Sequence, residues 1–224
     1  MVIFYTPIRV VYLDRLPGIY KQMYTLMSGY WKYFFQKDEY NVLILGLDNA
    51  GKTTYLEQSK MKFNSKYQGM NLSKITATVG LNIGKIDIGR VRLNFWDLGG
   101  QEELQSLWDK YYAESHAVIY IIDSSDTERI DESKDAFDKM IINEMLKGVP
   151  LLILANKQDL EGCMKASEVK KVFNSSAQLI GDRECKFLGT SALKGDGVHE
   201  GIVWIVDGIK KNNIERPPVQ KEIT

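Results

Sequence analysis

Residues 40–54 read YNVLILGLDNAGKTT. The run 41–45 is short and nearly all apolar, the composition of a strand buried on both faces. From Gly46 through Leu47, Asp48, Asn49, Ala50, Gly51 and Lys52 to Thr53, with Thr54 directly after, the chain fits G-x-x-x-x-G-K-[ST] at every fixed position. A helix-permissive stretch, 53–62, follows. Such a loop must turn several consecutive backbone N–H groups inward around an anion, and Gly46 and Gly51 permit the turn and the close approach. The helix beginning near Gly51 aims its positive end at the same anion. Lys52 is placed to reach β- and γ-phosphates, and the Thr53 hydroxyl to join a Mg²⁺ shell. Strand, loop and helix together imply a site for a nucleoside phosphate.

Working outward, the composition agrees. A chain of 224 residues with 44% apolar content can hold one substantial core. Its 29 basic and 29 acidic residues cancel, which argues against a nucleic-acid binder working by bulk charge. Cys163, Cys185, His116 and His199 lie too far apart for zinc-binding spacings, so reduced thiols are expected. No apolar run approaches the ~20 residues of a membrane-spanning helix.

Downstream of the loop, residues 61–73 are polar. Thr78-Val79-Gly80 then leads into Leu81–Ile88 and 91–96, joined by Gly89-Arg90 as a β-hairpin. In the second strand Val91, Leu93 and Phe95 alternate with Arg92, Asn94 and Trp96, which predicts a half-buried strand. At its end stands Trp96-Asp97-Leu98-Gly99-Gly100-Gln101. An Asp at the carboxyl end of a strand beside a phosphate loop is where a second Mg²⁺ contact belongs. Gly100 can offer its N–H to a γ-phosphate, and Gln101 has the donor and acceptor needed to orient a water for in-line attack.

Ala117–Asp123 reads as another buried strand, and 127–146 as a helix stopped by Gly148-Val149-Pro150. The strand 151–155 ends in Asn156-Lys157-Gln158-Asp159. Asp159 can accept two hydrogen bonds from the N1–H and N2–H₂ of guanine. Adenine has no donors there and would leave a carboxylate unpaired, at ~1–3 kcal/mol or more. Asn156 can tie the base loop to the phosphate loop, and the Lys157 stem can cover the base. Residues 167–173 are predicted helical, and 185–188 form the last strand, ending at Thr190-Ser191-Ala192-Leu193, where the backbone of Ser191 and Ala192 can meet the guanine carbonyl. Val198–Lys211 is an amphipathic closing helix. Strands alternating with helices predict an α/β, doubly wound, mostly parallel six-stranded sheet, with the ligand at the carboxyl ends of the strands.

The amino-terminal part is different. Residues 1–22, broken by Pro7 and Pro17-Gly18, show no helical stripe and are expected to be an extension or alternative start. On a helix spanning 23–38, Met23, Met27, Tyr30, Trp31 and Phe34 share one side, flanked by Tyr24, Leu26 and Phe35. Thr25, Ser28, Gly29, Lys32 and Gln36 gather opposite. That face suits either a groove on its own domain or a bilayer interface, and one protein can alternate between them. Residues 39–211 would then form the nucleotide-binding domain and 212–224 a tail.

The set GLDNAGKT, TVG, WDLGGQ and NKQD resembles the Arf family of small GTPases, across essentially all of residues 23–211, and YTLMSG with LSKITATVGLNIG resembles its Golgi branch. The resemblance implies a P-loop GTPase with a Ras-like G domain that hydrolyses GTP slowly and binds GTP or GDP with Mg²⁺ held by Thr53, Thr78 and Asp97. It implies a switch recruiting effectors to the cytoplasmic face of the Golgi in vesicle trafficking, cycling to the cytosol. An exchange factor and a GTPase-activating protein would be its partners. It also implies a monomer attached peripherally through the segment from Met23 to Phe35, with a membrane-protein receptor. Thr78 resembles the switch threonine of the GTP state, and 81–96 the hairpin that slides between states.

Two departures stand out. Leu81, Trp96 and Tyr111 occupy an effector triad whose first member is Phe in Arf proteins, and neither Met1-Val2 nor Met23-Tyr24 offers the Gly needed for myristoylation. Counting from Met23 places Gly46 in the register of an Arf-type chain. Competing expectations are a GTP-binding scaffold with little turnover, a switch on another membrane, and a metabolic phosphoryl-transfer enzyme, which Asn156, Lys157 and Asp159 disfavour.

Overall fold

The computed structural model describes residues 26–27 and 37–219. The chain divides into two units at Lys37 and Asp38. In the first, Leu26 and Met27 are helical and exposed. The expectations for 1–22, for the remainder of 23–36 and for 220–224 lie outside the described residues.

The second unit is built on a six-stranded sheet. Its strands are β1 (Asp38–Leu45), β2 (Leu81–Ile88), β3 (Val91–Leu98), β4 (Ala117–Asp123), β5 (Leu151–Asn156) and β6 (Cys185–Gly189), in the order β2-β3-β1-β4-β5-β6. All neighbours are parallel except β2, which returns antiparallel along β3. Strand β1 lies between β3 and β4, so the loop after it opens where the chain order reverses, the usual ligand crevice of such sheets. The helices are α1 (Lys52–Phe63), the one-turn α2 (Glu102–Gln105) and α3 (Asp109–Tyr112), α4 (Ile130–Ile141), α5 (Ala166–Phe173), α6 (Ala177–Ile180) and α7 (Val198–Lys211).

The central strands read as continuous apolar runs because each feeds two cores. Val42, Ile44, Ile119, Ile121, Leu152 and Leu154 face Tyr55 and Leu56 of α1 and Ile202, Ile205 and Ile209 of α7. Their alternates Leu43, Leu45, Val118, Tyr120, Ile122 and Ile153 face Phe137 and Met140 of α4 and Val169 and Phe173 of α5. Period-two alternation thus becomes a division between two apolar layers.

Two sequence expectations need correction. The helix predicted over 127–146 is confined to Ile130–Ile141, with a separate 3₁₀ turn at Glu144–Leu146. The Asn143 side chain accepts the Met145 N–H at 2.9 Å, which offers the backbone an alternative to another helical turn. Strand β3 is not half-exposed throughout: Asn94 is buried, because it pairs directly with Asn41 of β1. Its Nδ2 donates to Asn41 Oδ1 at 3.4 Å and Glu39 Oε2 at 3.5 Å, and Arg92 Nη1 donates to Glu39 Oε1 at 3.3 Å.

The tail expected from residue 212 is, through residue 219, bonded into the domain. Arg216 Nη1 donates to Ser115 O at 2.7 Å and Ala113 O at 3.4 Å, and Val219 N–H donates to Glu39 O at 2.8 Å. Arg216 thus satisfies carbonyls left open after α3 and Val219 one in β1, roles without a periodic signature in sequence. His116 joins the strap. Its Nδ1 accepts the Asn41 N–H at 3.0 Å, so Nε2 carries the proton and donates to Pro217 O at 2.9 Å.

Burial, with Arg216 nearby, holds His116 below its ordinary pKa. The unfolded chain therefore binds the extra proton more readily. The stability present above the unfolded value of about 6.5 is lost as pH falls through the folded one. The urea midpoint should drop between about pH 7.5 and about pH 5.5 by more in the wild type than in His116→Gln. Equal drops would remove His116 as the source.

Candidate functional site

After β1 the chain turns through residues 46–51 and enters α1 at Lys52. Gly51 caps α1 with φ 93°, and a Cβ added there would lie 2.4 Å from Asn156 Nδ2. Both the left-handed backbone and the close approach exclude other residues. That approach lets Asn156 Nδ2 donate to Ala50 O at 2.8 Å, while its Oδ1 accepts the Ala192 N–H at 2.9 Å and the Thr190 hydroxyl at 3.4 Å. One buried side chain therefore ties together the loops after β1, β5 and β6.

Lys52 is buried and folds back over the same loop, donating to Gly46 O at 3.0 Å and Leu47 O at 2.6 Å. Burial pulls its pKa down to about 8, against the upward pull of Asp97 and Asp48. A desolvated ammonium whose partners so far are carbonyls is a site for an anion. The cavity beside it, about 190 Å³, is lined by Asp48, Asn49, Gly51, Lys52, Thr53 and Thr54, by Ile75 through Thr78 opposite, and by Gly100 and Lys157 at its ends. A larger groove of about 990 Å³ lies elsewhere, between Ile141, Leu179, Arg183 and Gly208. Arg183, in its lining, donates to the carbonyls of Ile141, Leu146 and Leu179.

At the rim of the smaller cavity three side chains from separate elements meet. Thr53 Oγ1 donates to Asp97 Oδ2 at 2.7 Å and lies 2.7 Å from Thr78 Oγ1, which is itself 3.5 Å from the same carboxylate oxygen. Asn82 Nδ2 adds a bond to Asp97 Oδ2 at 3.2 Å. Asp97 Oδ1 is buried without a partner. Burial raises the pKa of this carboxyl, and the bonds from Thr53 and Asn82 only partly offset it. An unpartnered buried carboxylate oxygen beside two hydroxyls suits a hard divalent cation that keeps waters and phosphate oxygens as its other ligands. Among the described residues no cluster of three His, Cys, Asp or Glu competes for it. The residues present therefore fit Mg²⁺.

Gly100 stands across from the loop, and a Cβ there would lie 2.3 Å from the Leu47 carbonyl carbon and 2.4 Å from Asp48 N. Trp108 Nε1 donating to Gly99 O at 3.0 Å and Gln105 Nε2 donating to Gly100 O at 3.2 Å hold this backbone in place. Gln101 follows directly, is exposed at the start of α2, and does not line the cavity.

At the base end, Lys157 adopts φ 64° and pairs with Asp123 Oδ2 at 2.6 Å. Asp159 Oδ1 accepts the Ser191 hydroxyl at 2.6 Å. The backbone contacts expected of Ser191 and Ala192 are already occupied, since Ser191 N–H donates to Asp196 O at 3.1 Å and Ala192 N–H to Asn156. Sequence reading missed the Ser191 hydroxyl, Asn82 and Asp123. Only Asp123 carried a signal, an acid at the carboxyl end of a strand like Asp97. Of the three apolar positions expected to meet partners, Leu81 is exposed, and Trp96 and Tyr111 are half-buried and meet edge to face at 5.4 Å.

The sequence pattern of the ADP-ribosylation factor family, Arf, matches residues 26–209. The chain is 64% identical over 202 residues to ADP-ribosylation factor-related protein 1 of Bos taurus, covering 90% of this chain and all of that protein. The protein of the same name in Homo sapiens is 62% identical over the same lengths. ADP-ribosylation factor-like protein 3 of Saccharomyces cerevisiae is 42% identical over 200 residues, 89% of this chain and all of that one. Among solved structures, the Arl6 BBS3 small GTPase of Trypanosoma brucei, with a bound nucleotide analogue GppNp, superposes with a TM-score of 0.68 at 36% identity. It covers 77% of this chain and 98% of its own.

Proposed function

The chain belongs to the Arf family of small GTPases, and on that premise we propose that it is a GTP-hydrolysing switch that recruits effectors to Golgi membranes. The observation that carries the switch is the meeting of Thr78 with Thr53 and Asp97 at the cavity rim. Thr78 sits in the irregular segment before β2 and can reach this point only when that segment closes over the site.

In this reading the loop N–H groups and Lys52 bind the β- and γ-phosphates. Thr53, Thr78 and Asp97 hold Mg²⁺, which when bound supplies positive charge against the phosphate oxygens. Gly100 N–H senses the γ-phosphate, and Gln101 swings in to orient the attacking water. Asp159, steadied by Ser191, reads guanine, and Asn156 and Lys157 frame it. The γ-phosphate would draw Thr78 and Gly100 together and slide the β2–β3 hairpin, so that effectors meet Leu81, Trp96 and Tyr111 in the GTP state alone. The aromatic-rich sequence from Met23 to Phe35 supports peripheral attachment. One helix face alone binds lipid weakly, which favours a membrane-protein receptor as well. An exchange factor and an activating protein complete the cycle, and the domain works as a monomer.

Thr53→Asn tests the proposal. The larger amide should displace a Mg²⁺ contact that GTP needs more than GDP, so the variant should favour GDP by about tenfold or more. In cells the tagged variant should leave the Golgi for the cytosol. Equal affinities for the two nucleotides, or a Golgi signal unchanged by the substitution, would count against the switch.

A further inference from the structure

The loop after β1 carries an acid, Asp48, into a cavity suited to phosphate. Its Oδ1 accepts a hydrogen bond from Arg129 Nη2 at 2.6 Å, across from the turn that precedes α4. Arg129 is in turn held by Glu132 Oε2 at 2.9 Å, and its own N–H donates to Asp126 Oδ1 at 3.2 Å. None of the motifs contains Arg129, and the proposed mechanism gives it no part. Both members of the pair are about one-third exposed, 33% and 37%, so it adds little as a mere surface bridge. Its placement matters for charge. A free carboxylate here would repel incoming phosphates, and a triphosphate more strongly than a diphosphate. It would also draw on the Lys52 ammonium, at which Asp48 and Arg129 act with opposite sign.

We propose that Arg129 is a positioning residue that holds the Asp48 carboxylate off the phosphates and so sets the preference for nucleoside triphosphate over diphosphate. This rests on the GTPase reading above. Arg129 touches no reacting atom. It acts through Asp48, with Glu132 Oε2 accepting from its Nε and Asp126 Oδ1 holding its backbone N–H. The pair also explains how an acid can sit in a phosphate loop at all: its charge is met locally before the ligand arrives.

The experiment measures GTP and GDP affinities, by displacement of a fluorescent guanine nucleotide, for the wild type, Arg129→Ala, Arg129→Lys, Asp48→Asn and the double variant Arg129→Ala with Asp48→Asn. Arg129→Ala should weaken GTP about tenfold more than GDP, with the excess shrinking at high salt. Arg129→Lys should keep part of the preference, through one donor in place of a planar fork. Removing the Asp48 charge in the Arg129→Ala background should return the GTP/GDP ratio to near the wild-type value. A loss equal for both nucleotides, or a ratio that stays shifted in the double variant, would show that Arg129 only supports α4 and would overturn the proposal. Failure of the wild type to bind either guanine nucleotide would overturn the GTPase reading and this inference with it.

Discussion

Gln101→Leu should leave GTP affinity within about twofold and abolish most of an acceleration of ~10³–10⁵ that an activating partner provides. The placement of Gln101 motivates this expectation. Gln101 is exposed at the start of α2, with no hydrogen bond fixing its amide and no place in the cavity lining. An amide free to rotate orients a water poorly, so intrinsic turnover should be slow. Arg129, which pairs with Asp48 of the phosphate loop, is also engaged by Glu132 and cannot stabilise the transition state in cis without breaking both bonds. The expected result is that an activating partner presses Gln101 inward and supplies a guanidinium of its own. Single-turnover phosphate release with and without an activating protein measures both parts. A normal stimulated rate in Gln101→Leu would remove Gln101 from the mechanism.

Asp159→Asn should reverse the choice of base. Guanine presents N1–H and N2–H₂ donors to the carboxylate, and each pairing lost costs ~1–3 kcal/mol, so GTP affinity should fall by about 10²-fold or more. Xanthine carries an acceptor where guanine carries N2–H₂, and the new amide has one donor and one acceptor to match it. The orientation is set by Ser191, whose hydroxyl donates to Asp159 Oδ1 at 2.6 Å. In the variant that bond selects the amide oxygen and turns the NH₂ toward the base. Competition between guanosine and xanthosine triphosphates should show the exchange, and Ser191→Ala added to it should blunt the gain for xanthine. Guanine selectivity that survives Asp159→Asn would mean that another residue reads the base.

The parts legible in sequence are those in which local chemistry restricts residue type. The phosphate loop is one. A close backbone approach at Gly46, a left-handed φ at Gly51 and a buried ammonium at Lys52 each leave one or two usable residues, and those residues stand in one short reading frame. The central strands are another, because a segment with helices on both faces has no polar side to show. The hairpin β2–β3 and the closing helix α7 were likewise readable from periodicity and turn residues.

What only the tertiary structure decided is which distant groups meet. Asp48 reaches Arg129 across 81 positions of sequence, and Ser191 reaches Asp159 across 32. The burial of Asn94 depends on its register against Asn41, and the strapping of the tail depends on carbonyls left open after α3. None of these contacts has a periodic or local signature. By itself the sequence determined the loop, the sheet strands and most of the residues that line the smaller cavity. How those side chains are oriented and neutralised was left to packing, because a hydrogen bond or ion pair between remote segments is specified only by the geometry that brings its two ends together.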